Sequence, residues 1–175
     1  MIPLVLTFVG DDRPGLVNAI AQTIAASGAT WLESRSAELA GKFAGVLLAN
    51  VPEANLAELE ESLRRLEAGG LHVTIERGAA LKEKPSRLVR LDILGNERPG
   101  IVRDVTQVLS GLGVNIEEFT SGLESAPFSG LEMFRASARL RAPDGLSLED
   151  LRKALERLAG EIMVDLAVGE DAAKA

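Results

Sequence analysis

Apolar and polar positions alternate along this chain in two long stretches that follow the same order of elements. In the first, Leu4 to Val9 is an apolar run of strand length, and Pro14 to Ser27 places Leu16, Val17, Ile20 and Ile24 at the three-and-four spacing of one helix face. Gly28 is the glycine that ends such a helix. Trp31 to Leu39 and Lys42 to Val51 are rich in strand formers and split by Ala40 and Gly41, which predicts a hairpin. Leu56 to Ala68 carries Leu56, Leu59, Leu63 and Leu66 on one side and stops at Gly69 and Gly70, after which Leu71 to Glu76 alternates as a strand. The second stretch predicts strand Leu88 to Leu94, helix Pro99 to Leu112, strands Ile116 to Gly122 and Phe128 to Leu140, helix Leu148 to Ala159 capped by Ser147, and strand Ile162 to Val168.

The order βαββαβ, met twice, implies an α+β protein of two tandem ferredoxin-like domains, each an antiparallel sheet with its helices on one face. The expected boundaries are a first domain over 1–78, a polar linker over 79–86 that contains Lys82, Glu83, Lys84 and Pro85, a second domain over 87–169, and a tail over 170–175. A comparison of the chain with itself supports duplication. Gly10 to Ser36 realigns with Gly95 to Ser121 at a constant shift of 85 positions, keeping Arg-Pro-Gly followed by Leu or Ile and then Val. The same shift carries Phe43 and Gly45 onto Phe128 and Gly130. Leu59, Leu63 and Leu66 then match Leu151, Leu155 and Leu158, which puts about seven extra residues of the second copy after its third strand.

The turn that leaves each first strand holds the chemistry. Asp11 or Asp12, and Asn96 or Glu97, stand where a polar side chain caps a helix, and Pro14 and Pro99 suit a first helical position, which needs no donor. Gly15 and Gly100 lack a Cβ, so an anionic ligand can approach the free N–H groups and positive end of the helix, near Leu16 and Ile101. Geometry alone also favours Asp-x-Pro-Gly at a strand-to-helix turn, but the motif recurs in both copies. For Arg13 and Arg98 two readings stand: a solvated surface charge, or a contact to a ligand anion or a neighbouring subunit.

This turn, with the Gly-x-x-Ile or Gly-x-x-Trp step into the second strand, resembles the ACT domain, a family of amino-acid-sensing modules, and the likeness spans nearly the whole chain. Two such copies, each with Arg-Pro-Gly and without an appended catalytic domain, are similar to the glycine cleavage system repressors. The resemblance implies a regulatory protein with no catalytic residues and no cofactor. It implies a small amino acid as effector, held where sheets meet, and control of a protein partner in the transcriptional regulation of amino-acid metabolism, with glycine indicated. The second turn is the expected seat of the effector carboxylate, because Asn96 is neutral where Asp11 is anionic.

Composition narrows the alternatives. A net charge of -7 opposes a phosphate backbone, so direct nucleic-acid binding is not expected. No apolar run approaches the ~20 residues of a membrane helix and the start lacks a basic leader, so a cytoplasmic protein without membrane contact is expected. With no Cys and one His, no metal site is expected; His72 lies on the outer strand face with Thr74 and Glu76. Arg135, Arg139 and Arg141 alternate onto one strand face, with Arg90 nearby, either as a surface for an anionic partner or as charge protection of an exposed strand. Trp31 is expected in the core or at an interface. An open sheet edge predicts a homo-oligomer, joined edge to edge or helix face to helix face. Two rival functions share the pattern. One is an acylphosphatase-like hydrolase, using Arg13 or Arg98 for phosphate and Asn115 for water, although Thr30 stands at the matching position of the first copy. The other is a structural dimerisation module without a ligand.

Overall fold

The computed structural model describes residues 1–79, 86–125, 132–158 and 162–168. The chain divides into two compact units, Met1–Lys82 and Glu83–Ala175. In the first, β1 (Ile2–Asp11), α1 (Leu16–Ala26), β2 (Thr30–Leu39), β3 (Lys42–Val51), α2 (Leu56–Arg65) and β4 (Leu71–Arg77) follow in order. The second repeats this with β5 (Ser86–Asn96), α3 (Ile101–Gly111), β6 (Asn115–Ser125), β7 (Glu132–Pro143), α4 (Leu148–Glu156) and β8 (Ile162–Val168). The sheets run β2-β3-β1-β4 and β6-β7-β5-β8, with every pairing antiparallel. Ser86, placed in the linker on sequence grounds, opens β5. Residues 80–85 of that linker, Ala159 of the last expected helix, and the 170–175 tail lie outside the described residues.

Each sheet puts alternate residues under its helices. In β1 Leu4, Leu6 and Phe8 are buried, and they meet Leu47 and Val51 of β3, Leu16, Ile20 and Ile24 of α1, and Leu59 and Leu63 of α2. The second core repeats the pattern with Val89, Leu91, Ile93, Ala136, Leu140, Val105, Leu109, Leu151 and Leu155. Burial of each large side chain contributes roughly 1.5–3 kcal/mol, so these faces hold the helices where they are. Trp31 packs, half-buried, against the first core. Helix α1 ends as its glycine predicts: Gly28 N–H donates to the Ala25 carbonyl at 3.0 Å and Ala29 N–H to that of Ile24 at 3.2 Å. Ser147 caps α4 by accepting from Asp150 N–H at 3.0 Å.

The strand register corrects the repeat alignment. Gly10 pairs with Phe43 and Gly95 pairs with Phe134, so the counterpart of Phe43 is Phe134, not Phe128. Phe128 and Gly130 lie outside the described residues. The shift is therefore already 91 (43 to 134) at the third strand of the repeat. Most of the extra length precedes β7, between Ser125 and Glu132, where the first repeat turns in the two residues Ala40 and Gly41. A hairpin loop tolerates such growth because lengthening it costs little closure entropy.

Candidate functional site

The two strand-to-helix turns share one backbone. Gly15 has φ 95° and ψ -2°, and Gly100 has φ 88° and ψ 2°. With proline before each glycine these are type II turns, the second closed by Ile101 N–H donating to the Arg98 carbonyl at 3.3 Å. Proline therefore occupies the first corner of a turn rather than the first residue of a helix, and Gly15 and Gly100 are the N-caps, with no side-chain cap at either. Asp11, Asp12, Asn96 and Glu97 do not cap the helices, which corrects the sequence reading. Their backbones instead prolong the sheets: Asp12 N–H donates to Gly41 at 2.9 Å and Glu97 N–H to Glu132 at 3.2 Å.

The first intrahelical bonds run from Ala19 N–H to Gly15 at 2.9 Å and from Asp104 N–H to Gly100 at 3.0 Å. The N–H groups one to three residues after each glycine thus have no intrahelical acceptor and carry the positive end of the helix dipole. Leu16 and Ile101 contribute backbone alone, since both side chains are buried in the cores.

Side chains make the two turns unequal. Lys42 pairs with Asp11, and its hydrogen bond holds the Asp11 carboxyl below the usual carboxylate range. At the matching place Asn96 faces Met133 across the strands. Arg13 Nη2 donates to the Gly69 carbonyl at 2.7 Å, which ties the first turn to the 3-10 turn Leu66–Gly69 that leads into β4. Arg98 instead donates to Asp104 at 2.8 Å, and Arg103 meets the same carboxylate at 2.9 Å. Hydrogen bonds from Arg98 and then Arg103 keep Asp104 below the ordinary carboxylate range. The N-terminal turn of α3 thus carries its own anion, whereas that of α1 contains no acid. Beside the first turn lies an open cavity of about 550 Å³, lined by Asp12, Arg13, Gly15, Leu16, Val17, Asn18, Ala21 and Phe43.

Asn115 does not join the second turn. It pairs with Arg141, which pairs with Leu88 at the start of β5, so the length of the strand, roughly 26 Å from Leu88 to Asn96, separates it from the second turn. The phosphatase arrangement of arginine and asparagine is therefore not assembled within this unit. His72 is exposed beside Val9. The arginine face is ion-paired: Arg135 with Glu124 at 2.8 Å, Arg139 and Arg141 with Glu117 at 3.4 and 2.5 Å, and Arg90 with Asp92 at 2.8 Å. Among the described residues no group of three His, Cys, Asp or Glu side chains is placed to hold a metal, and no helix is long and apolar enough to cross a membrane. Sequence reasoning missed Lys42, Gly69 and Phe43, whose approach depends on strand pairing. Asp104 carried a legible signal, an acid in the first turn of a helix.

Residues 3–76 match the family model of the ACT domain. The first unit has the ACT-type fold. The second unit, outside that match, repeats its strand order, so the chain is a tandem of ACT-type repeats. Over 95% of its length the chain is 29% identical to a phosphoserine phosphatase of Mycobacterium tuberculosis, of which it spans only 40%. It is 26% identical to the glycine cleavage system transcriptional repressor of Escherichia coli, covering 91% of this chain and 85% of the repressor. A crystal structure of an unknown protein from Galdieria sulphuraria superposes with a TM-score of 0.79 at 28% identity, covering 94% of this chain and 96% of that one.

Proposed function

We propose that this chain is a regulatory protein without chemistry of its own, in which a small amino acid binds at the first turn and alters the hold on a partner protein that controls amino-acid metabolism. The observation that carries the site is the inequality of the turns. At the second turn Arg98 and Arg103 are already engaged by the carboxylate of Asp104, whereas the first offers free N–H groups, no acid in the first turn of its helix and a cavity of about 550 Å³, within the range of small-molecule sites. This moves the effector from the second turn, where the neutral Asn96 pointed, to the first. The charge of Asp11, which argued against the first turn, is paired with Lys42. Asp12 stands at the cavity to meet the effector's ammonium group.

The likeness to the glycine cleavage repressor supports transcriptional regulation, and makes glycine the first effector to try. The phosphoserine phosphatase likeness supports a second reading, in which the repeats regulate an enzyme and serine is the effector. A thermal-shift screen of the twenty amino acids decides, because a ligand that binds only the folded state raises the melting temperature by mass action. Stabilisation by glycine or serine and not by their amides is the expected outcome. No shift with any amino acid would leave a structural dimerisation module.

A further inference from the structure

The helix-free faces of the two sheets are built on the same register and differ in kind. In the second unit, Arg90 stands opposite Arg139, Asp92 opposite Ser137 and Leu94 opposite Arg135. The same three pairs in the first unit are Val5 with Leu48, Thr7 with Val46 and Val9 with Ala44. The two central strands thus present a lattice of ion pairs on one copy and an uncharged strip on the other, with Val9 44% and Val46 40% exposed, flanked by Glu33 and Arg35 on β2 and by His72 and Glu76 on β4. Single exposed apolar residues are ordinary, but a contiguous apolar face marks a contact.

We propose that this face of the first unit packs on the same face of a second copy of the chain, sheet on sheet about a two-fold axis. Shape is the first argument. Two aligned sheets pack best when their twists match, and an identical copy has the same twist. Charge is the second. The chain carries a net charge of -7, which opposes self-association in general, yet this strip is neutral, and its margins hold both signs: Glu33 with Arg35 and Asp11 with Lys42, besides Glu76 on β4. A nucleic acid would find no cationic row here, and a bilayer would find none of the aromatic and basic flanks that anchor a surface. Area is the third. Four strands about 4.8 Å apart, most of them ten residues long, make a footprint of roughly 600 Å². The pair of faces buries roughly 1,200 Å², the lower end of specific protein interfaces.

The full-length chain decides the matter by sedimentation and by spin labelling. Val46→Arg places on the first face the kind of charge that the second already bears. The expected result is an assembly whose mass halves in Val46→Arg, with association weakened by at least ~30-fold relative to wild type and an unchanged circular dichroism spectrum. Val9→Lys repeats the test should Val46→Arg not fold. Because the chain has no cysteine, Thr7→Cys accepts a single nitroxide. Labels on faces ~10 Å apart should report a separation on the order of 20 Å. A monomeric wild type, an unchanged mass in the folded Val46→Arg or Val9→Lys variant, as pairing by edges would give, or labels beyond ~40 Å, as pairing by helices would give, overturns the proposal.

Discussion

At Gly15 a Cβ would meet nothing within 4 Å, so the glycine is there for its φ of 95° and not for space. Gly10 is the opposite case, since a Cβ there would lie 2.7 Å from the Gly70 carbonyl. Gly15→Ala should therefore cost about 1–2 kcal/mol from the left-handed backbone alone. Urea unfolding that shows no loss would mean that the turn can relax. The carboxylates set the acid limit. The carboxyls of Asp11, Asp92, Asp104 and Glu124 are all held below the usual carboxylate range, chiefly by hydrogen bonds from Lys42, Arg90, Arg98 and Arg135. For a group lowered in the folded state, the stabilisation is complete above the unfolded pKa and disappears as pH falls through the folded one. These four groups should contribute no pH dependence near neutrality. They should contribute a progressive loss of stability below about pH 4.5, to be read as the urea midpoint from pH 7 to pH 3.

Helices here are held by the sheet more than by their own sequences. Leu109 of α3 is 0% exposed, and Leu109→Ala should cost about 2–5 kcal/mol, checked by the same unfolding curves. The elements were legible because two periods, 3.6 and 2, run through them without conflict. Leu59 and Leu63, and the alternation of Leu4, Leu6 and Phe8, each point to one buried face. Boundaries were less legible. Pro14 looked helical because proline suits both a first helical position and the first corner of a type II turn, and only the left-handed Gly15 separates the two. The hairpin insertion was misplaced because a coincidental Phe-x-Gly at 128–130 imitates Phe43 and Gly45. The strand partner of Gly95, which identifies Phe134, is a long-range fact. The site was half legible: the turn and its arginines stand in the motif, but Lys42 and the Gly69 carbonyl reach them only through folding.

At the scale of the molecule, duplication has let the two copies diverge at equivalent places, and each copy becomes the control for the other. Ala19 and Asp104 occupy the same step of the two helices, the residue whose N–H makes the first helical bond. In α1 that step is a methyl group in the helix turn that follows Gly15, and in α3 it is a carboxylate gripped by Arg98 and Arg103. If the effector's carboxylate is held by the N-terminus of α1, Ala19→Asp supplies a competing anion. It should weaken amino-acid binding by about 1–3 kcal/mol, the range for opposing a charged hydrogen bond. The reverse change, Asp104→Ala, removes the resident anion from the second turn. It should leave the first site intact and release Arg98 and Arg103, so that a second, weaker equivalent of amino acid binds. Calorimetry with the effector found in the thermal screen reads both changes as affinity and stoichiometry. One equivalent per chain in the wild type, reduced affinity in Ala19→Asp and a second binding step in Asp104→Ala are the expected triad. Loss of binding in Asp104→Ala with none in Ala19→Asp would return the effector to the second turn.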